Sequence, residues 1–447
     1  MIRSVRRPAL LALGLLLTVA GATLAAGERA EDRQVAWLRE NAVALRSIEP
    51  GDEDFSDLAP LRSILADKRV VILGEASHGD GTTFLAKSRL VRFLHRELGF
   101  DVLAFESGFY DCAKAWERIK AGDDPAAAFR RSVFGIWTRS AQVQPLIAYF
   151  ASAARSQRPL ELAGIDPQFT GEMSQRYLLD DLVKIAVAAG LPGDDFKARI
   201  SGPLANLDEG RYENGEIPPA EARAEFLKAM DDLARRLREA GSGVPDQGYW
   251  LRFAEGTRQL AANSWSTDWK RPLMEDPEGF AVRDRIMGEN LAWLARHRFA
   301  GRKIIVWAAS FHGAREVDTI DVPSPVHMRL FRTFQPMGAV ARKELKEELY
   351  SVAVLAYQGS YGSRFKEPIE IWQPSAGSLE DLLHRTGLPY VFLDLNRSSR
   401  LPGWLRDPMI ARPMGYKEMR SPWGRVFDAV LFFDRMAISE KTAGGKP

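Results

Sequence analysis

Four short runs of apolar residues, each followed by polar side chains, constrain the fold of this chain more than any other feature. Short runs rich in β-branched residues are typical of buried strands. The runs are 70–73, 102–105, 160–163 and 304–307, and the side chains after them include Glu75, His78, Glu106, Asp166 and His312. Ligands bind beyond the carboxyl ends of the strands in open α/β sheets. We therefore expect these five side chains to share one site.

Histidine is scarce in this chain, and its placement supports that expectation. There are 6 histidines in 447 residues, and two of them, His78 and His312, follow predicted strands. The alternative is that polar side chains merely mark places where strands reach solvent. The coincidence of two rare imidazoles with several acids favours a functional site.

The order of the predicted elements favours an α/β fold with a mostly parallel central sheet flanked by helices. From residue 70 to about 168, strands alternate with helical patterns, and Gly99 closes the first helix. From 171 to 299 the pattern is helical, as in Phe226, Met230, Leu233 and Leu237. We expect this stretch to form a helical subdomain over the carboxyl edge of the sheet, either as a lid or pocket wall or as a buttress.

Further strands are predicted at 303–307, 350–356, 390–395 and 427–433, and a helix is predicted over 34–47. These elements give a division into a first half of the α/β core (27–170), the helical subdomain (171–300) and a second half of the core (301–447). The two halves are expected to form a single sheet.

The first 26 residues have the pattern of a secretory signal peptide. Arg3, Arg6 and Arg7 precede an apolar stretch at 10–19, and small residues follow at 23–26. The apolar stretch is shorter than the ~20 residues of a membrane span. We expect a periplasmic or secreted protein with no membrane span after cleavage. The alternative is an uncleaved N-terminal anchor.

Charge and cysteine content exclude several classes of protein. Removal of residues 1–26 changes the formal net charge from +2 to about −1, which argues against nucleic-acid binding. Cys112 is the sole cysteine of the sequence, so neither an intramolecular disulfide nor a cysteine-built zinc site is possible. A small-molecule substrate is the expected partner, and the oligomeric state stays open.

The residues at the strand ends suit a histidine general base better than other chemistry. The spacing of Gly74 and Gly79 lacks the residues of a nucleotide-binding loop, and Ser77 has no nucleophile elbow around it. A histidine has a suitable pKa, and Glu75 or Glu106 can fix its tautomer. Such a site would hydrolyse its substrate by direct attack of water.

A metal site is the main chemical alternative. His78, His312, Glu75 and Glu106 are plausible ligands for zinc or manganese. Their spacing along the chain is not diagnostic, because they follow different strands. The expectation is therefore an enzyme without a cofactor, with a divalent metal as the alternative.

Several motifs, in order along most of the chain, resemble the erythromycin esterase family. They are Gly74-Glu75-x-x-His78-Gly79 with Lys87, Gly99-Phe100 with Glu106, Gly164-Ile165-Asp166-Pro167-Gln168, Arg283-Asp284-x-x-Met287-x-x-Asn290, Val306-Trp307-Ala308 with His312, Met337-Gly338, and Phe427-Asp428-Ala429. The resemblance implies an α/β core with a helical subdomain. It also implies a deep cleft in which a histidine, supported by glutamates, activates water against the lactone ester of a macrolide.

By that resemblance His78 is the base, Glu75 and Glu106 orient or tune it, and His312 assists. Lys87 stands where the family often has arginine. The further candidates for supporting the site or contacting substrate are Lys87, Asp166, Trp137, Trp307 and Ser310.

Four positions depart from the family pattern. The family's Trp-Ala-His-Asn-x-His is Trp-Ala-Ala-Ser-Phe-His here, so Ala309 replaces its first histidine and Ser310 its asparagine. The acid often found four residues after the leading histidine is Thr82, and Lys87 lacks the planar fork of arginine. These changes leave the base intact and thin out the polar groups around it.

We expect a hydrolase of an ester or lactone, whose substrate is macrolide-like or otherwise hydrophobic. The alternatives are a metal-dependent hydrolase and a non-catalytic periplasmic protein. The latter would bind haem, a metal or a hydrophobic ligand in a cleft lined by Trp137, Trp307 and Phe311.

Overall fold

The computed structural model describes residues 30–208, 210–240, 243–268, 270, 277–362, 367–396 and 401–442. The predicted signal peptide at 1–26 lies outside the described residues. Within these ranges, no helix is both long and apolar enough to cross a membrane.

In the described part of the chain, nine strands form one central sheet and two short strands pair separately. The strands are β1 (Val43–Ala44), β2 (Val70–Leu73), β3 (Phe100–Gly108), β4 (Glu161–Asp166), β5 (Lys303–Trp307), β6 (Leu349–Tyr361), β7 (Ile369–Ile371), β8 (Tyr390–Asp394), β9 (Met409–Ala411), β10 (Met419–Ser421) and β11 (Ala429–Met436). β9 and β10 form the separate pair.

Helices cover both faces of the sheet. The α-helices are α1 (30–41), α2 (Leu61–Ile64), α3 (Gly81–Leu98), α4 (Phe109–Lys120), α5 (Pro125–Ser132), α6 (Gly135–Thr138), α7 (Gln144–Ala153), α8 (Leu179–Ala188), α9 (Gly193–Asp208), α10 (Ala220–Glu239), α11 (Gln247–Ser264), α12 (Pro277–Trp293), α13 (Ser310–Gly313), α14 (Pro325–Thr333), α15 (Met337–Leu345), α16 (Leu379–His384), α17 (Gly403–Arg406) and α18 (Trp423–Val426). Short π-helical segments, Ser174–Leu178 and Leu294–Arg298, adjoin α8 and α12.

The sheet is mostly parallel, as the sequence predicts. Its order is β1-β8-β11-β6-β2-β5-β3-β4, with β7 beside β6. Neighbours from β11 to β4 are all parallel, whereas β8 runs antiparallel to β11 and β7 to β6. The strands from both ends of the chain thus form a single sheet, and β2, β5, β3 and β4 end side by side.

Alternate residues of each central strand face two different hydrophobic layers. In β2, Val71 and Leu73 pack in a cluster with α3 and α7, whereas Val70 and Ile72 pack with the helices between β4 and β5. A third cluster, which includes residues of α14 and α16, covers the β6, β8 and β11 end of the sheet. Burial on both faces explains why the central strands are almost continuously apolar.

The chain between β4 and β5 forms a helical layer against one face of the sheet. The predicted apolar stripe of α10 is buried in this layer, with Phe226, Met230, Leu233 and Leu237 each 0% exposed. Helix α12 extends the layer to the carboxyl edge of the strands. The helical layer is therefore a buttress of the sheet that also forms one wall of the edge.

The prediction of a helix over 34–47 is wrong for the second half of that range. Helix α1 ends at residue 41, and Val43 and Ala44 form β1, which pairs with Phe392 and Val391 of β8. Pairing with an exposed sheet edge satisfies backbone groups of this segment, and local periodicity does not report such a distant partner. Gly99 is the predicted C-terminal cap of α3, with φ of 72°.

Truncation of Phe226 tests whether the helical layer is part of the core. The ring is fully buried and packs edge-on against Trp265, with 5.4 Å between centroids. Phe226→Ala should lower the free energy of unfolding by about 3–5 kcal/mol, because apolar contact is lost and a cavity remains. Urea unfolding followed by circular dichroism measures this. Val187→Ala, at a side chain that is 55% exposed in α8, is the control and should change stability by less than about 0.5 kcal/mol.

Candidate active site

The carboxyl ends of the parallel strands bring the five predicted side chains to one edge of the sheet. Glu75 and His78 follow β2, His312 lies in α13 directly after β5, and Asp166 ends β4. Strand β3 continues to Gly108, so Glu106 is a residue of the strand rather than of the loop after it. All five belong to two linked groups of charged side chains.

The first group is centred on the Glu75 carboxylate, which is 1% exposed. His78 Nδ1 lies 2.8 Å from Glu75 Oε1, and Trp137 Nε1 donates to the same oxygen at 2.9 Å. Lys87 Nζ donates to Glu75 Oε2 at 2.7 Å. The carboxylate therefore accepts from three side chains and fixes Nδ1 of His78 as the protonated nitrogen.

Lys87 and Trp137 support this group from inside the protein. The Lys87 ammonium, carried by α3, also donates to the Ala308 carbonyl at 3.3 Å and lies 4.1 Å from the centre of the Trp307 ring. Burial lowers the pKa of Lys87, and the Glu75 charge opposes that shift. Trp137 and Trp307 are both 0% exposed. They therefore support the site from beneath. The ligand-binder hypothesis requires both rings to line an open cleft, and their complete burial does not fit it.

The second group is centred on Glu106 and His312, both buried. His312 Nε2 lies 3.0 Å from Glu106 Oε1, and His312 Nδ1 lies 2.8 Å from Asp284 Oδ1. Burial alone lowers the pKa of His312, but the two carboxylates outweigh burial and raise the pKa to about 10. Burial alone raises the pKa of Glu106, but His312 above all holds it well below its usual value. This pair is thus an imidazolium bound to a carboxylate at neutral pH.

Arg283 connects this pair to the end of β4. Its Nη2 donates to Glu106 Oε1 at 3.0 Å, and its Nε lies 3.1 Å from both oxygens of Asp166. Burial lowers the pKa of Arg283, but Asp166 and Glu106 outweigh it, so the net shift is upward. Asp166 therefore belongs to the site network and does not merely cap the strand end.

A three-residue segment after β5 links the two groups. The Ala308 carbonyl accepts from Lys87, the Ala309 N–H donates to Glu106 Oε2 at 3.0 Å, and the Ser310 N–H donates to the Glu75 carbonyl at 2.8 Å. The Ser310 hydroxyl accepts from the Val354 N–H at 3.3 Å. Ser310 is buried, so it joins β2, β5 and β6 rather than contacting substrate.

The two histidines consequently differ in what they can do. Both nitrogens of His312 face carboxylates, and its ring is buried. His78 uses Nδ1 for Glu75, its side chain is 31% exposed, and its Nε2 has no hydrogen-bond partner among the described residues. His78 is therefore the histidine with an available lone pair.

Comparison with known proteins identifies a family for this chain. The erythromycin esterase family model matches residues 95–436. This chain belongs to the erythromycin esterase family. The matched range includes Glu106, Asp166, Asp284 and His312, and it begins after Glu75 and His78.

Two relatives of this family member align with nearly the whole length of the chain. Putative hydrolase YbfO of Bacillus subtilis (strain 168) is 26% identical over 445 residues, which cover 95% of this chain and 96% of the relative. Erythromycin esterase type II of Escherichia coli is 21% identical over 440 residues, which cover 90% of this chain and 98% of the relative. Family membership and these relatives support a hydrolase.

Solved structures share the fold. A succinoglycan biosynthesis protein has a TM-score of 0.70 at 17% identity, with 92% of this chain and 98% of that chain covered. A histidine-to-asparagine mutant of the erythromycin esterase EreC, in its open conformation, has a TM-score of 0.65 at 16% identity, with 89% of this chain and 98% of that chain covered. At these identities the comparison concerns the fold alone.

The four residues considered as metal ligands are arranged as two acid–histidine pairs. Within the described ranges, no group of three or more His, Cys, Asp or Glu side chains is placed to hold a metal ion. Glu75 and Glu106 each bind one histidine and one basic side chain. The oxygens that a metal would need are thus engaged in hydrogen bonds and ion pairs.

Arg283 and Asp284 are site residues to which the sequence alone assigns no role, although both lie in a motif that resembles the family. The sequence signal that could have found them is a base followed directly by an acid within an apolar helical pattern. The apolar neighbours are Ala281, Val282, Ile286 and Met287. Asp80 is a further buried residue that the sequence did not single out. Its side chain is fully buried and accepts from the Ser77 N–H and the Tyr416 hydroxyl, each at 2.9 Å. Burial raises the pKa of Asp80 to about 8.

Replacement of His312 tests the imidazolium assignment through stability. His312→Gln removes the charge that compensates Glu106 and Asp284, and should lower the free energy of unfolding by about 3–5 kcal/mol at pH 6.5. Because folding raises the pKa of His312 from 6.5 to about 10, its contribution is complete below pH 6.5 and is lost as pH rises towards 10. Urea unfolding at pH 6.5 and 9 measures both effects.

The control for this experiment is His297→Gln, at an exposed histidine of the helical layer. It should leave stability unchanged and retain the wild-type decrease between pH 6.5 and 9. The His312→Gln variant should lose part of that decrease. An identical decrease in wild type and His312→Gln would show that His312 is not the titrating group.

Proposed function

We propose that this family member hydrolyses an ester or lactone by direct attack of water, with His78 as the general base. The observation that carries the proposal is the pairing of His78 Nδ1 with Glu75 on a part-exposed ring, with no partner for Nε2 among the residues that the structure describes. A base needs an accessible lone pair, and His312 has none to offer. Membership of the erythromycin esterase family supports the same chemistry.

The proposed reaction is balanced without a cofactor. His78 Nε2 takes a proton from water while the water oxygen bonds to the carbonyl carbon of the substrate. The resulting oxyanion then collapses and the bond from carbon to the alkoxy oxygen breaks. The His78 imidazolium returns its proton to that oxygen, which gives a carboxylic acid and an alcohol. In a lactone both groups stay in one molecule.

Glu75 orients the base and stabilises its charged form. Its carboxylate accepts the Nδ1 proton, so the imidazolium that forms during the reaction is paired at once. Lys87 and Trp137 hold the same carboxylate from the buried side. The base therefore has a fixed orientation before substrate binds.

Arg283 is the group of the second cluster that we assign to the substrate oxygen. Its side chain is 26% exposed, whereas Glu106, Asp166 and His312 are almost completely buried. Two carboxylates hold the guanidinium in place. A fixed cation near developing negative charge lowers the barrier, because little reorganisation accompanies the reaction.

The proposed substrate class rests on the family and on one position, 309, at which this chain departs from the family pattern. The name of erythromycin esterase type II supports a macrolide lactone. Position 309 is a partly exposed alanine where the family pattern has a histidine, so a methyl group replaces an imidazole there. We propose a macrolide-like or other hydrophobic ester as substrate. Residues 1–26 support action in the periplasm or outside the cell.

A hydrolysis screen with His78→Ala tests the proposal. Mass spectrometry would follow the addition of one water to macrolides and to simple esters and lactones. His78→Ala should lower kcat by a factor on the order of 10²–10⁴, because the general base is removed. His297→Ala, at an exposed histidine, should leave kcat unchanged.

Two further measurements sharpen the result. Activity should survive dialysis against EDTA, and the intact mass of the enzyme during turnover should show no acyl adduct. Turnover that is unchanged in His78→Ala would refute the assigned base. An adduct would refute direct attack by water, and loss of activity with EDTA that zinc restores would favour the metal-dependent alternative.

A further inference from the structure

A cavity lies beside the hairpin formed by β6 and β7, and its lining includes none of the charged groups described above. Its volume is about 640 Å³, within the range of small-molecule sites. Its polar and aromatic lining consists of Gln358, Ser360, Glu370, Trp372, Gln373 and Arg435. The mechanism proposed for His78 uses none of these residues.

Trp372 is the most unusual member of this lining. Its side chain is 83% exposed, the highest value among the exposed large apolar residues of the described chain. Its backbone is nevertheless fixed, because the buried Arg412 guanidinium donates to the Trp372 carbonyl and, at 2.9 Å, to the Ala356 carbonyl. The exposed indole is thus carried by a fixed backbone and forms a platform with a free face.

The polar groups around this platform are partly fixed and partly free. Gln358 Nε2 donates to Asp434 Oδ2 at 3.2 Å, and the other oxygen of Asp434 binds His384 Nδ1 at 2.5 Å. The His384 ring stacks on Tyr357, with 3.7 Å between centroids. These contacts orient the Gln358 amide and leave its carbonyl oxygen available. Glu370 and Arg435 are exposed and add an acceptor and a donor.

We propose that this cavity binds a saccharide ring stacked on Trp372. A pyranose has an apolar face of C–H groups and a rim of hydroxyls that both donate and accept. An exposed indole matches the face, and a rim of amide, hydroxyl, carboxylate and guanidinium groups matches the hydroxyls.

The same lining argues against a membrane surface as the occupant. Anionic lipid is attracted by clusters of lysine and arginine, whereas Glu370 offsets Arg435 here. A concave site with several dispersed hydrogen-bonding groups suits a small polyhydroxylated ligand. Binding at this site does not depend on the function proposed for His78.

The hairpin also contacts the loop that carries His78. The Ser77 hydroxyl donates to the Gly362 carbonyl at 2.6 Å, and Gly79 packs against the Gly362 backbone. A saccharide on Trp372 would therefore bind to the element that adjoins the catalytic loop.

Direct binding of neutral oligosaccharides tests this proposal. Maltohexaose, cellohexaose and chitohexaose would be titrated against the full protein by saturation-transfer NMR and calorimetry, up to about 10 mM. We expect at least one to bind, with C–H protons of the ring nearest the protein. Trp372→Ala should weaken that binding at least about tenfold, and Trp372→Phe by less.

Controls separate this site from the rest of the protein. Val187→Ala, at another exposed apolar residue, should bind the oligosaccharide as wild type does. Trp372→Ala should keep wild-type hydrolysis of a small soluble ester, since the His78 group is intact. Absence of binding by all three oligosaccharides, binding that Trp372→Ala leaves unchanged, or Trp372-dependent binding to phosphatidylglycerol vesicles without oligosaccharide binding would each overturn the proposal. None of these results would bear on the role of His78.

Discussion

The buried Glu106 carboxylate imposes the main constraint on this structure. A buried charge is tolerated when it is paired and hydrogen-bonded, because its lost hydration must be replaced. Glu106 obtains this from His312, Arg283 and the Ala309 N–H. These groups come from α13, from α12 and from the segment between β5 and α13. One carboxylate thus connects α12 of the helical layer to the edge of the sheet.

The same principle makes two histidines into different chemical groups. His312 lies between two carboxylates and is held as a cation. His78 contacts one carboxylate, and its other side faces outward. The environment and not the residue type decides the role, as in enzymes that use two similar acids for opposite tasks. The cationic histidine anchors the network, and the proposed proton transfer rests on His78, whose ring is part-exposed.

The sequence predicted the parts of the site that lie at strand ends, because strands and the residues after them are local features. Glu75, His78, Glu106, Asp166 and His312 were found in this way. Arg283 and Asp284 were not, since α12 reaches the sheet from a distant stretch of chain. Nor could the sequence show which histidine is charged, because that depends on Asp284. The pairing of β1 with β8 was missed for the same reason, being a contact between segments about 350 residues apart.

Two glycines explain how the His78 loop is held so close to its neighbours. A Cβ at Gly74 would lie 2.5 Å from the Ser310 hydroxyl and 2.6 Å from the Val352 carbonyl. A Cβ at Gly79 would collide with the Gly362 backbone. Their spacing resembles part of a nucleotide-binding loop, but here glycine permits close approach of backbones. The loop is thereby placed against α13 and β6 on one side and the β6–β7 hairpin on the other. Any substrate that reaches His78 Nε2 must fit beside both.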